Sequence, residues 1–192
     1  MGLRTIKKDT IAFLMPCGGP VEPRAVQSAL NLVSKAALEG FPCNFVGITD
    51  RTLIHSARNM LAKGFLEQTD CEWSFWVDSD MVLESRTIPV MMRWTHKLNA
   101  KIMTGVYYQR AGAHKPVIWN KEAHDLKGNL INKSDDAYSH FFVYPGMQQP
   151  DGKMKVCIGG PPFRVDVSGF GCVLVHRDVI ASMNPPYFKF NF

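Results

Sequence analysis

The chain has little of several things that would narrow its class. No apolar run approaches the roughly 20 residues that a membrane-spanning helix needs, and Met1 to Asp9 is too charged for the core of a signal peptide, so a soluble protein without a membrane span is expected. Cysteine is sparse and unpaired in pattern. The five cysteines (Cys17, Cys43, Cys71, Cys157, Cys172) are odd in number, and none stand at Cys-X-X-Cys spacing. That argues against a disulfide framework and a zinc knuckle and predicts a reducing, cytoplasmic location. Charge of one sign is also scarce. A net charge of +5 suits a phosphate-bearing ligand without requiring nucleic acid. With no internal repeat or low-complexity tract, the 192 residues are expected to form a single domain.

What is present reads as alternating strands and helices. Ile11 to Met15 is a continuous apolar run ending at Pro16-Cys17-Gly18-Gly19-Pro20, the pattern of a buried strand feeding a tight loop. Val26, Ala29, Leu30, Val33 and Ala37 then recur at helical spacing, with Pro23 in the first turn and Gly40 at the end. Phe45 to Ile48 predicts a second strand. Leu53, Ala57, Met60, Leu61, Gly64 and Phe65 predict a helix over 52–68 that Thr49 and Asp50 can cap, and Trp73 to Val77 a third strand. Ser85 can cap a helix carrying Ile88, Met91, Met92, Thr95 and Leu98, followed by a strand over 102–107. Beyond about residue 108 the apolar pieces shorten (116–119, 140–144, 155–158, 172–176) between turns at 127–129 and 150–152. The expected fold is therefore α/β, with a mostly parallel central sheet flanked by helices, a nucleotide-binding half over about 1–107 and a strand-rich, irregular half over about 108–192.

Asp78 and Asp80 follow the third strand in Phe75-Trp76-Val77-Asp78-Ser79-Asp80-Met81-Val82, at the strand end where open α/β sheets collect ligands. In an extended segment residues i and i+2 point the same way, and two neighbouring carboxylates are costly unless a cation neutralises them. Mg²⁺ or Mn²⁺, hard ions that also carry phosphate oxygens, would do so. The other reading is an acidic loop capping the next helix through Asp80 or Glu84. The motif fits two enzyme patterns, the Asp-X-Asp of GT-A glycosyltransferases and the Asp-X-Asp-X-Thr/Val of haloacid-dehalogenase-like, Mg²⁺-dependent phosphatases. The phosphatase pattern belongs at the end of a first strand and needs a later acidic pair, for which only Asp135-Asp136 stands as a candidate.

The longer run of Leu53-Ile54-His55-Ser56-Ala57-Arg58-Asn59, Phe65-Leu66, Trp76 to Met81 and Gly105-Val106-Tyr107 resembles the GT-A glycosyltransferases related to family 2 and to the fungal Golgi mannosyltransferases, including small virus- and phage-encoded members. The resemblance covers about residues 10–188 and is most specific over 52–82. It implies a Rossmann-like GT-A fold, in which the half over about 108–192 would be the acceptor side, and a metal-dependent hexosyltransferase acting in a cytoplasm. The donor would be a nucleotide-sugar, UDP-sugar ahead of GDP-sugar, and the acceptor a glycan or glycoprotein hydroxyl, with a hydroxylated DNA base as the alternative. By the same resemblance Pro16, Cys17 and Gly18 hold the base and ribose, Arg58 contacts base or diphosphate, and Asp78, Ser79 and Asp80 bind the metal-diphosphate through Asp78 and Asp80. Tyr107, Tyr108, Gln109 and Arg110 end the next strand near the same edge, where an aromatic such as Tyr107 packs on sugar or base or else in the core or rim, and Arg110 and Lys115 add charge for phosphate or are solvated. Asp166, in a segment running from Val165 to Asp178, is the candidate general base, or else a cap for the turn at Ser168. His176, at the end of a strand, is a candidate third metal ligand or else a structural histidine. Relatives continue past a Pro-Pro-Tyr-Phe-like element, so Pro185 to Phe192 is expected to be an exposed tail of a longer polypeptide. A non-catalytic nucleotide-sugar-binding module is the alternative that this departure raises.

Overall fold

A computed structural model describes residues 5–49, 53–107, 117–120, 122–124, 130–133, 140–141, 162 and 164–189. These fall into two compact units. The first comprises Met1–Gly105 with Phe170–Phe192, the second Val106–Gly169. In the first unit β1 (Lys7–Met15), α1 (Pro23–Leu38), β2 (Cys43–Ile48), α2 (Ile54–Gln68), β3 (Cys71–Val77), α3 (Thr87–Leu98) and β4 (Ile102–Thr104) alternate.

The main sheet has the order β2-β1-β3-β10-β4, where β10 (Cys172–His176) is the last strand of the chain and leads into α4 (Arg177–Ala181). β1 pairs in parallel with β2 and β3, whereas β10 runs antiparallel to both β3 and β4. The result is a mixed α/β fold with a five-stranded, mostly parallel sheet. β1 is buried from Thr10 to Met15 and β3 along nearly its whole length, which is why they read as unbroken apolar runs, while β2 alternates as an edge strand does. α1 lies beside α3 and α2 beside α4. The core centres on Phe13, Phe75, Trp76, Phe65 and Leu174. Trp76 donates its indole N–H to Ser74 Oγ (2.9 Å), and Ser74 in turn donates to the Val175 carbonyl (3.1 Å), so this buried polar pair is satisfied.

The helices form where their signals stand, with altered details. α1 opens on Glu22, whose carboxylate accepts from Arg24 N and Ala25 N, with Pro23 as its first residue. It closes on Gly40 at φ +91°, where Gly40 N donates to Ala37 O (3.2 Å) and Phe41 N to Ala36 O (2.9 Å), a complete Schellman motif. Its buried face is Ala25, Ser28, Leu32 and Ala36, however, and the expected Val26 and Leu30 are exposed. Ser28 explains the rotation: its hydroxyl both accepts from Leu83 N and donates to Leu83 O (2.8 Å each), pinning the small-residue face inward. α2 begins at Ile54 without a side-chain cap; Thr49 instead turns to the loop after β1, and Asp50 lies outside the described residues. Ser85 does not cap α3, whose N-cap is Arg86 with no side-chain cap bond. The strand expected over 102–107 ends at Thr104.

In the second unit β5 (Ile118–Asn120) pairs antiparallel with β8 (His140–Phe141) and β9 (Val167–Ser168), and β6 (Glu122–His124) pairs with β7 (Leu130–Lys133). The strand expected at 155–158 and the turns at 127–129 and 150–152 lie outside the described residues.

Arg177 joins α4 to the end of α2. Its guanidinium donates to the carbonyls of Cys71 (2.7 Å), Leu66 (3.2 Å), Phe65 (2.9 Å) and Thr69 (3.0 Å) and lies 4.3 Å from the centre of the Phe65 ring. One cation thereby satisfies carbonyls that the helix terminus leaves unpaired. Arg177→Met is expected to cost about 2–4 kcal/mol in a urea unfolding titration, and Arg177→Lys to recover only part, because an ammonium cannot span that fork. A parental midpoint in Arg177→Met would show that these bonds carry no net weight.

Candidate functional site

The order β2-β1-β3 reverses the direction of winding between β1 and β3, and the carboxyl ends of those strands open the crevice where doubly wound sheets bind ligands. Two loops meet there. Thr49, beyond β2, accepts from Cys17 N through its hydroxyl (2.9 Å) and donates its own N–H to Met15 O (3.4 Å). Glu22 N donates to Ser79 O (3.4 Å), tying the loop after β1 to the loop after β3. Cys17 is buried, its thiol directed at the Met15 carbonyl, so Pro16, Cys17 and Gly18 can offer a ligand mainly backbone. Neither Gly18 nor Gly19 has a positive φ, and a Cβ at Gly19 would meet nothing within 4 Å. At Gly19 the turn itself does not demand glycine, and the open space beside it admits close approach of another molecule.

Asp78 leaves β3 with its N–H still bonded to Gly171 O (3.1 Å), while its carbonyl accepts from Met81 N (3.1 Å). The acidic pair therefore sits on a β-turn, not on the extended segment expected, and the alternation argument for a shared direction does not apply. Asp80 is exposed. Arg58 Nη2 donates to Asp78 Oδ1 at 3.0 Å, with side-chain exposures of only 18% and 33%. Burial pushes the Asp78 carboxyl above its ordinary value; the guanidinium opposes this, and the Asp80 charge adds to it.

Three residues outside the expected set complete this corner. The guanidinium of Arg58 lies 5.3 Å from the Phe170 ring centre and 6.0 Å from that of Phe188. Both rings pack on each other (5.1 Å) and on Trp76 (5.4 and 5.6 Å). Asn59 grips the Phe188 backbone, its amide donating to Phe188 O (2.8 Å) and its oxygen accepting from Phe188 N (3.0 Å). The segment expected to be an exposed tail is thus packed down as far as Phe188, with Tyr187 and Phe188 against the core. Asn59 stood beside Arg58 in the motif, but nothing in sequence spacing pairs it with a residue 129 positions away.

The remaining candidates are dispersed. His176 is not near the acidic pair: β10 runs against β3 with Cys172 opposite Val77 and His176 opposite Trp73, so four residue steps put it roughly 13 Å down the strand. There it packs on Trp73 and caps α4 by accepting from Asp178 N (3.2 Å). Tyr107 and Asp166 belong to the second unit. Tyr107 O accepts from Val117 N, Gly169 N donates to Val117 O, and a Cβ on Gly169 would stand 2.0 Å from the Tyr107 hydroxyl, so Tyr107 fills a local packing position that requires glycine opposite. Asp166 is exposed just before β9. Tyr108, Gln109, Arg110, Lys115, Asp135 and Asp136 lie outside the described residues.

Among the described residues no group of three or more His, Cys, Asp or Glu is arranged to hold a metal. The carboxylates of Asp78 and Asp80 are of the chemical kind that a hard divalent ion takes one or two at a time, its remaining positions filled by water and phosphate oxygens. A cation would also relieve the two effects, burial and the Asp80 charge, that raise the Asp78 carboxyl.

No protein-family model matches the sequence, and no curated protein matches it. Among solved structures, A197 from STIV is similar, with a TM-score of 0.52 and 16% identity over 92% of this chain and 69% of that one. The likeness is one of fold.

Because the Asp78 carboxyl titrates higher in the folded chain than unfolded, the folded chain keeps a proton between about 3.8 and its own higher value that the unfolded chain has released, and stability is lost as pH rises through that window. Asp78→Asn is therefore expected to gain stability relative to the parent as pH rises from 3 to 7. Asp70, held below its ordinary value by Lys7, should give the opposite trend in Asp70→Asn. Denaturation midpoints across that range check both; parallel curves for Asp78→Asn and parent would refute the first.

Proposed function

We propose that the chain is a metal-dependent glycosyltransferase of GT-A type that transfers a hexose from a nucleotide-diphospho-sugar, UDP-sugar ahead of GDP-sugar, to a hydroxyl of a glycan or glycoprotein. The observation that carries the reading is the convergence at the β1/β3 crevice of an open glycine loop, a two-carboxylate turn and a half-buried arginine.

Each part has a task in such a transfer. The backbone of Pro16 to Gly18 lies where base and ribose can come close. Arg58 supplies a planar charged donor suited to phosphate oxygens. Asp78 and Asp80 would hold Mg²⁺ or Mn²⁺, which supplies positive charge for the departing diphosphate. In an inverting transfer the acceptor oxygen bonds to the anomeric carbon as the bond from that carbon to the diphosphate oxygen breaks, its electron pair leaving with the diphosphate. Asp166 is the proposed base that takes the acceptor proton.

Two measurements test the reading. UDP or GDP with Mn²⁺ should raise the melting temperature, since a ligand that binds only the folded chain stabilises it by mass action. Turnover of a nucleotide-sugar panel should require metal and fall by about 10²-fold or more in both Asp78→Ala and Asp80→Ala. Stabilisation by no nucleotide and no turnover would remove the reading, whereas metal-independent binding without turnover would leave a nucleotide-sugar-binding module.

A further inference from the structure

The geometry points to Arg58 as an exchangeable counter-ion: in the free protein it neutralises Asp78, and it passes to the diphosphate when a metal–nucleotide complex binds, so that cation and nucleotide enter together. This rests on reading the crevice as a nucleotide-diphosphate site, and it adds an order of binding to that reading.

The Arg58–Asp78 contact runs through Nη2 and Oδ1 (3.0 Å), a single bond where a guanidinium can make a two-point fork. Arg58 Nε is buried and finds no hydrogen-bond partner among the described residues. The group is thus held in an arrangement that does not use its full donor set. What holds it is largely non-directional, the faces of Phe170 and Phe188 at 5.3 and 6.0 Å. A cation resting on aromatic faces can shift or turn without breaking a hydrogen bond to them. The rings themselves stay in place, because Asn59 fixes the Phe188 backbone at two points and Trp76 backs both rings.

Electrostatics then sets the order. A divalent ion approaching Asp78 alone meets a guanidinium already on that carboxylate, and two like charges a few ångströms apart in a half-buried site repel strongly. A metal that arrives with diphosphate brings negative charge for Arg58 to take up, and phosphate oxygens offer the fork that Asp78 does not complete. Arg58 thereby disfavours bare metal and favours the metal–nucleotide pair.

Free Mn²⁺ measured by electron paramagnetic resonance, with and without UDP, on the whole chain and on Arg58→Met tests this with a readout independent of turnover. Arg58→Met is expected to bind Mn²⁺ alone on the order of tenfold more tightly and Mn²⁺–UDP on the order of tenfold more weakly than the parent, a coupling of ordinary size for linked sites. Unchanged or weaker binding of Mn²⁺ alone would overturn the exchange, while parental binding of Mn²⁺–UDP would leave the site reading intact. Parental failure to bind either would overturn both. Should Arg58→Met not fold, the parent still decides by NMR. The Arg58 Nε–H resonance should hold with Mg²⁺ alone and move with Mg²⁺ and UDP; no movement with both, or movement with Mg²⁺ alone, overturns the proposal.

Discussion

The carboxylate of Asp78 is drawn partly out of water at the point where β3 leaves the sheet, and much of the surrounding arrangement responds to that cost. β3 is buried to its last residue, Val77, because β1 and β10 flank it and helices cover both faces. The next residue therefore inherits a low-dielectric neighbourhood whatever its own chemistry. Arg58 answers with charge from α2, but burial still outweighs it. The aromatic wall of Trp76, Phe170 and Phe188 keeps that charge close and water away, and Asn59 keeps the wall in place.

Much of the scaffold was legible in the sequence because the central strands are covered on both faces. Ile11 to Met15 and Trp73 to Val77 read as buried strands for that reason, and Gly40 read as a helix end because only a residue tolerant of positive φ suits the turn that follows α1. The phase of α1 was not legible. A hydrophobicity reading weights large side chains such as Val26 and Leu30, whereas the packed face is made of small ones that let the helix approach, fixed by a serine whose partner is Leu83. Helix caps failed similarly: Thr49 has the chemistry of a cap, but its hydroxyl is taken by Cys17 from another loop.

The direction of β10 shows why the site was only partly readable. A strand over 172–176 is evident from its apolar run, but its entry between β3 and β4, antiparallel to both, is a property of the whole sheet. In that direction the start of the strand, not its end, reaches the acidic turn. Phe170 and Gly171 therefore contribute there and His176 goes to the opposite edge. The same holds for Phe188, whose placement depends on an asparagine far away in sequence. Arg58, Asp78 and the Pro16 to Gly19 loop were legible because each stands within a few residues of an element whose end could be located.

A mixed α/β fold hosts many chemistries, so the likeness to A197 leaves function to the site. The stronger argument comes from where the structure departs from what folding alone favours. Gly19 gives up a side chain in a loop whose backbone does not require it. Asp78 carries a charge that burial disfavours, and Arg58 keeps a buried N–H without a partner among the described residues. A sequence selected only for stability could replace each of these locally. These three stand at one crevice, at the carboxyl ends of the two strands where the sheet changes direction, as is expected where local stability is given up for a ligand, while the buried indole N–H of Trp73 and the positive φ of Asp9 and Asn99 are departures that lie elsewhere. Arg177, half-buried at the start of α4, donates to several carbonyls around the end of α2, so the same chain satisfies an arginine fully elsewhere.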